Sequence, residues 1–418
     1  MSFITTATRM WLTRSFKPFT FTADDGRVPV DTGDVEKPGL YVHIPFCRTL
    51  CNFCPYCKVA FEVELFNKYI AALKKEIKLI SAANGKIKEV SSLYFGGGSP
   101  ALAADYIGDI IELLQKIYRI TDGIGVELHP ADVTVETLRK LKNAGVSRIS
   151  IGIQSFQRRN QSLLGREPID AGQLKSVLSQ AAFETVSMDF IFALPGQTAA
   201  DLKEDIRCAF ECGANHVAIY PFINFSFAAT PLEAVTLHEK RQLLNEITEY
   251  FKEQGCIRDS IWTFAKAVNH KYSSMTRDNF IGFGCSATTL LKKQFRINTF
   301  SVEEYCKRVD AGLSATALKC DFTLRQRMIY WLFWRAYTTR IAVKDFEKFF
   351  GVPLKKIFGF ELALAERAGM LTNDGKMIEL TAKGAFYFHY YEGFYTLSYI
   401  DRMWHRLRHE PFPSGMKL

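Results

Sequence analysis

Long apolar runs are missing from this 418-residue chain. No segment approaches the ~20 consecutive apolar residues of a membrane-spanning helix. The longest candidate, Met328 to Trp334, sits between Arg327 and Arg335. The opening residues also lack the apolar stretch of a secretory signal. They lack acid as well: no Asp or Glu precedes Asp24, while Arg9, Arg14 and Lys17 are present. An N-terminal arm is expected there in preference to a transit peptide, in a cytoplasmic protein. Repeats, low-complexity tracts and nucleic-acid-binding motifs are absent too, so a repeat scaffold and a nucleic-acid partner are not expected. Acid is in modest deficit: Lys+Arg 53 against Asp+Glu 44 gives +9. The excess is dispersed except near the C-terminus, at Arg402, His405, Arg406, Arg408 and His409.

What is present reads as an ordinary globular chain, 48% hydrophobic and 23% charged. Its length suits two or three domains, or one large barrel with an appendage. Cysteine is not scarce. There are ten, and Cys47, Cys51, Cys54 and Cys57 crowd into eleven residues. Without an export signal, such a cluster points to a reducing compartment and a metal site rather than a disulfide framework.

From residue 39 the hydrophobic pattern alternates. Strands are expected at Gly39–Ile44, Val90–Phe95, Gly125–Leu128, Arg148–Ile153, Val186–Phe192 and His216–Tyr220. Helix-period segments lie between them: Phe61–Ser81, Ala104–Ile117, Thr134–Ala144, Gly172–Ala182 and Thr198–Cys212. Thr198 and Asp201 have capping-box spacing. Six β/α units in a row imply a parallel sheet with crossover helices, too few for a full eight-stranded barrel. The fold class expected is therefore α/β, a partial (β/α)6 TIM-like barrel. After about residue 300 the alternation gives way to helical segments. Two of them, 341–350 and 352–368, followed by Met377–Leu380, have the look of a winged helix. The domains expected are an arm over 1–38 with little periodicity and read as flexible, a barrel over 39–300, and a mainly helical, winged-helix-like domain over 301–418.

Cys47-x3-Cys51-x2-Cys54 offers three thiolates in one loop just after a strand. Three thiolates can hold three irons of a [4Fe–4S] cube and leave the fourth iron open to a small molecule. Two other parses stand beside this one. Cys51-x2-Cys54-x2-Cys57 matches the start of a ferredoxin-type run, but Phe61 stands where its fourth cysteine belongs. A zinc site would need a second Cys/His pair at finger spacing. Cys57 is the spare thiol: a ligand, a catalytic group or a buried side chain.

Tyr41-Val-His-Ile-Pro-Phe-Cys47 through Cys54 resembles the radical SAM superfamily, in its oxygen-independent coproporphyrinogen oxidase-like family. The resemblance runs from about residue 39 to 290. It implies that Cys47, Cys51 and Cys54 hold a [4Fe–4S] cluster, and that reductive cleavage of S-adenosylmethionine (SAM) yields a 5′-deoxyadenosyl radical. It further implies that Tyr41, Glu127, Gln154, Arg166 and Asp189, together with Gly97, Gly98 and Ser99 of the Gly96–Pro100 loop, bind SAM. Arg166 would fork onto the methionyl carboxylate. Asp189 and Glu127, read as strand-end acids, would meet hydroxyls or an ammonium. Gly282 and Gly284, in Asn279–Ala287, resemble a segment near a second SAM.

The chain departs from the oxidase at Pro55, near which the oxidase carries another cysteine, and in its arm. It departs from the haem-chaperone branch at Lys271–Ser274. The function expected is thus a class C, two-SAM methyltransferase acting on an sp2 carbon of a flat hydrophobic quinone, tetrapyrrole or heterocycle. Oxidative decarboxylation of coproporphyrinogen and haem delivery are the alternatives. Phe222, Phe225 and Phe227 could wall a flat pocket. A flavodoxin or ferredoxin would supply electrons to a monomeric enzyme. The aromatic and basic 387–407 segment reads either as a helix docked on the barrel or as a peripheral membrane contact.

Overall fold

The computed structural model describes residues 3–27, 30–32, 35–82, 88–228, 232–233, 235–266 and 278–418. The Lys271–Ser274 stretch lies outside the described residues. Helix α1 (Phe3–Thr13) and strand β1 (Thr20–Ala23) open the chain, followed by β2 (Gly39–Ile44), α2 (Val63–Ala82), β3 (Leu93–Gly97), α3 (Ala104–Gln115), β4 (Ile124–Leu128), α4 (Val135–Asn143) and β5 (Arg148–Gln154). Then come α5 (Ala171–Leu178), β6 (Thr185–Phe192), α6 (Ala199–Glu211) and β7 (His216–Pro221). Strands β2 to β7 pair in chain order, each parallel to the next. This is the expected singly wound (β/α)6 arrangement. It puts every strand's C-terminal end at one mouth, where ligands of such barrels sit.

The cause is visible in the burial. Val42, Ile44, Phe95, Val126, Ile149, Ile151, Met188 and Phe190 are almost fully buried, as strands covered on both faces must be. Leu73, Ile77, Ile107, Ile110, Leu138 and Leu141 present the inner faces of the crossover helices to them. Thr198 caps α6 with the reciprocal box expected of it.

The sheet does not stop at the sixth strand. Phe280–Phe283 adds parallel to β2. Thr288–Leu290, Gln294–Asn298 and Thr316–Asp321 follow as an antiparallel meander. Strand β1 closes onto Thr316–Asp321 and onto the C-terminal Gly415–Lys417. The described residues of the arm therefore include a helix and a paired strand, where the sequence showed little periodicity. Its strand has partners distant in the chain, which no local pattern announces, and α1 lies against the helices Leu324–Tyr337 and Ala382–Tyr395.

Beyond the meander, Val343–Phe350 and Leu354–Arg367 pack on a three-stranded sheet formed by Arg340–Ala342, Leu371–Asn373 and Met377–Leu380. They share a small core of Trp331, Phe346, Phe358 and Ile378. The segment expected as one helix over 387–407 is Ala382–Tyr395 and Asp401–His409, joined by a π turn at Thr396–Ile400. Met403 and Leu407 are buried. Those apolar residues are spent inside the protein, which goes against lipid contact through them. No helix among the described residues is long and apolar enough to cross a membrane.

Candidate active site

The three thiols sit in the loop that leaves β2. Phe46, fully buried against Phe61, Phe66 and Tyr69, anchors the start of that loop. Cys47, Cys51 and Cys54 follow, all free and partly exposed. Burial first, then the proximity of Cys54 and Cys51, pushes the Cys47 thiol up to about 12. The mutual influence shows that the three sulfurs share one locality. Thiols held this way ionise when a cation neutralises them together. Among the described residues, no three His, Cys, Asp or Glu side chains converge as ligands of one ion would. Thiolates that each take a corner of an iron–sulfur cube stand further apart.

The glycine loop braces this thiol loop from below. The amides of Gly98 and Ser99 donate to the carbonyls of Ile44 and Phe46, both at 2.8 Å. A Cβ on Gly98 would stand 2.6 Å from the Phe46 carbonyl oxygen and 2.9 Å from the Cys47 sulfur, so only glycine fits. Gly97, at φ +126°, donates to Glu127 Oε2 at 3.2 Å. The Ser99 hydroxyl is engaged within the protein. It is buried and donates to Asp132, which also accepts from Arg48 Nε at 2.9 Å. Ser99 thus ties loops together through its hydroxyl.

On the barrel's inner wall, Tyr41 and Tyr94 lie in register on β2 and β3, their rings stacked 6.3 Å apart. Tyr41 meets His43 Nδ1 at 3.0 Å, and the Tyr94 hydroxyl donates to Glu127 Oε1 at 2.8 Å. Burial pushes the Glu127 carboxyl up to about 7, with the Asp189 charge adding to it. Asp189 is not at a strand end. It lies inside β6, where the pairing with β5 slips between Met188 and Phe190; such an irregularity re-aims a side chain. Ser150 donates to both its oxygens at 2.9 Å and Ser187 to one at 3.2 Å. Even so, burial raises it to about 6.

Gln154 ends β5 in a left-handed conformation, φ +70°. Its side chain folds over Gly152, where a Cβ would come within 2.9 Å of the amide nitrogen. Arg166 Nη1 donates to the Gly152 carbonyl at 3.0 Å, and its guanidinium lies over Phe53, between the second and third thiols. Arg166 Nε is buried and has no hydrogen-bond partner among the described residues. A guanidinium edge left unmatched beside a thiol loop is what an incoming carboxylate would satisfy. The residues therefore fit a cubane cluster with SAM: three thiols of one locality, two acceptor carboxyls and one unmatched arginine edge.

Two residues singled out in the sequence are turned into the packing. Gly284, assigned to a second SAM, is buried in packing. Its amide donates to Glu76 at 2.7 Å, and its carbonyl accepts from Asn298 at 2.9 Å. A Cβ there would strike the Tyr69 hydroxyl at 2.4 Å. Cys57 is turned inward. Its sulfur lies 3.7 Å from that of Cys285 and donates to the Phe300 carbonyl. The contact with Cys285 and then His43 hold the Cys57 thiol well below its ordinary range, against burial, while burial and Cys57 push Cys285 up. Of the three phenylalanines, Phe222 joins a small core with Leu164, Ile191 and Leu194. Phe225 stacks on Trp404 with 14° between rings, and Phe227 lies against Phe225.

Sequence reasoning missed the far wall. Tyr56 and Tyr220 are 52% and 38% exposed, yet protein charges surround both. Glu127 and Asp189 push each phenol up, after burial, and Glu392 adds to Tyr220. Both phenols are thus solvent-accessible and lie within reach of the carboxyls at the barrel mouth. Trp404 meets Tyr56 at 5.9 Å. Glu392 accepts from Trp262 Nε1 at 3.1 Å, and burial raises it to about 7. The period-two spacing of Tyr41 and His43 could have flagged the inner wall. No local signal marks Trp404 or Glu392.

The family model of the Radical SAM superfamily matches residues 41–209. The haem chaperone HemW of Bacillus subtilis is 24% identical over 364 residues, covering 82% of this chain and 95% of its own. The oxygen-independent coproporphyrinogen III oxidase of Escherichia coli is 26% identical over 385 residues, covering 84% and 83%. The solved coproporphyrinogen III oxidase (HemN) of Escherichia coli superposes with a TM-score of 0.74 at 22% identity, over 91% of this chain and 96% of that one; this likeness speaks for the fold. Thiol loop, barrel and relatives agree: residues 41–209 carry a radical SAM domain, and over more than four-fifths of its length the chain is similar to the oxygen-independent coproporphyrinogen III oxidases and HemW haem chaperones.

Proposed function

We propose that this radical SAM enzyme methylates an sp2 carbon of a flat, apolar molecule, a tetrapyrrole first among them, seated between the barrel mouth and the C-terminal helix. When bound, the reduced cluster and SAM supply a 5′-deoxyadenosyl radical. The chain's own part is positional. Arg166 takes the SAM carboxylate, and Asp189 and Glu127 accept from its hydroxyls and ammonium. Tyr41 and Tyr94 wall the site, and the glycine loop fixes the thiols at the right depth. The observation that carries the reading is the unmatched Arg166 edge beside three clustered thiols. Trp404, stacked on Phe225 with Tyr56 beside it, offers aromatic faces to a planar substrate. Support for methyl transfer is the departure from the oxidase: Pro55 and Tyr56 follow the third thiol, and the arm carries a different sequence. With Gly284 packed inside, a second SAM would have to enter by the barrel mouth itself.

The second reading is oxidative decarboxylation of coproporphyrinogen, favoured by the relatives named as oxidases. Product counting separates the readings. Reduced, reconstituted enzyme is incubated with SAM and, in separate reactions, haem and coproporphyrinogen. Methyl transfer releases S-adenosylhomocysteine in step with 5′-deoxyadenosine. Coproporphyrinogen-dependent CO2 without S-adenosylhomocysteine overturns methyl transfer in favour of the second reading. Tight haem binding with little SAM turnover points to haem delivery instead.

A further inference from the structure

The helix Asp401–His409 reaches the cluster loop from more than 340 positions away in sequence. Its start is tied to the barrel mouth, where the Ser226 amide donates to Asp401 Oδ1 at 2.7 Å. Its middle is held by Trp404, whose ring meets Phe225, Tyr56 and Phe300 at 5.9–6.2 Å. Its end carries Arg408. One Nη2 of Arg408 donates to the carbonyls of Pro55 and Tyr56, at 2.5 and 2.9 Å. Both residues lie between Cys54 and Cys57. The guanidinium is seated over Phe227 at 4.4 Å and Phe300 at 5.9 Å, and its Nε is buried without a partner among the described residues.

We propose that Arg408 is a positioning residue for the iron–sulfur cluster, ordering the loop after the third thiol and placing a permanent positive charge beside the thiolates. The inference rests on the cluster reading above and extends it to the C-terminal domain. Carbonyls at Pro55 and Tyr56 have no helix or strand to satisfy them. Both bonds come from one planar nitrogen of a rigid guanidinium held over two rings, a geometry that a freely rotating ammonium on a flexible stem does not reproduce. Fixing these carbonyls fixes the path of the chain out of Cys54. Burial works against the charged form of Arg408, and the Cys57 and Cys54 thiols offset it only in part. Other cations at the loop are Lys58, whose ammonium donates to the Cys54 carbonyl at 2.6 Å, Arg166 over Phe53, and Arg48, which is paired with Asp132.

The electrostatic consequence follows from charge balance. Reduction moves one electron from a donor, flavodoxin in the cell or dithionite in the assay, onto the cluster. No bond forms or breaks, and the site gains one negative charge. A fixed positive charge in a partly dry site favours the form with more negative charge. Arg408 therefore makes the cluster easier to reduce, and the C-terminal helix helps set the potential at which SAM cleavage begins.

The test uses the full chain, reconstituted anaerobically, as wild type, Arg408→Met and Arg408→Lys. Iron release to a chelator is followed by absorbance, and the cluster potential by redox titration read by EPR. For Arg408→Met, the reduced-to-oxidised ratio at fixed potential should fall about tenfold, which is ~59 mV for one electron. Its iron should also leave several times faster. Arg408→Lys, keeping charge but not the fork, should hold a near-wild-type potential yet release iron faster. A loop support without electrostatic effect would leave the Met variant's potential in place, and that result overturns the charge assignment. Wild-type iron release in both variants overturns the ordering role. If Arg408→Met does not fold, Arg408→Lys decides: release at the wild-type rate overturns the proposal. A wild-type chain that takes up no cluster would instead strike down the parent reading.

Discussion

Replacing Arg166 by alanine is expected to weaken SAM binding about a hundredfold without changing iron content. One edge of this guanidinium is already committed, Nη1 to the Gly152 carbonyl at 3.0 Å, and its face rests on Phe53. The buried Nε has no partner among the described residues. A carboxylate that pairs with the free edge gains charge-assisted hydrogen bonds of about 1.5–3 kcal/mol each. Desolvation of both ions takes back part of two such bonds, leaving about 3 kcal/mol, or roughly two decades in affinity. Arg166→Lys keeps the charge but not the fork and should lose about tenfold. Losing the Gly152 bond costs fold stability too, about 1 kcal/mol, so a thermal melt must accompany each titration. Isothermal titration of reconstituted, folded protein with SAM is the assay. An Arg166→Ala chain that is folded, loaded with iron and binds SAM as the wild type does would refute the assignment of the unmatched edge.

Two further outcomes are expected. Iron should be lost from a Cys47→Ala, Cys51→Ala, Cys54→Ala chain but kept in Cys57→Ala, since Cys57 faces Cys285 and Phe300; loss from the single variant, measured as iron per chain, would reject this ligand set. The cluster-free protein should melt at lower temperature as pH rises from 5 to 8. Glu76, Glu127 and Glu392 are each lifted by burial to about 7. Below their ordinary 4.5 both states are protonated. Between there and 7 the unfolded chain gives up protons that the folded chain keeps, so stability falls as pH rises, by about 1–2 kcal/mol per carboxyl allowing for partial exposure. Glu127→Gln should shallow that slope; a flat or rising melting curve across the window in the wild type contradicts the sign.

The sequence by itself determined the barrel. Six apolar segments with short breaks can bury both faces only as a parallel sheet under crossover helices, and that pattern is local in the chain. It also determined the thiol loop, because ligands three and four positions apart need no tertiary fold to stand together. The resemblance extended this to Tyr41, Glu127, Gln154, Arg166 and Asp189, which the barrel brings to one mouth. What only tertiary structure decided is direction and distant company. Gly284 and Ser99 look available in sequence. In three dimensions Glu76, Asn298 and Asp132 have taken their polar groups. Asp189 faces the mouth because pairing slips in the middle of β6. The arm holds a strand because Thr316–Asp321 and Gly415–Lys417 meet it from the far ends of the chain. Trp404 and Arg408 reach the cluster loop across 350 residues. Periodicity reports which face of an element is buried, but it carries no record of which distant element does the burying.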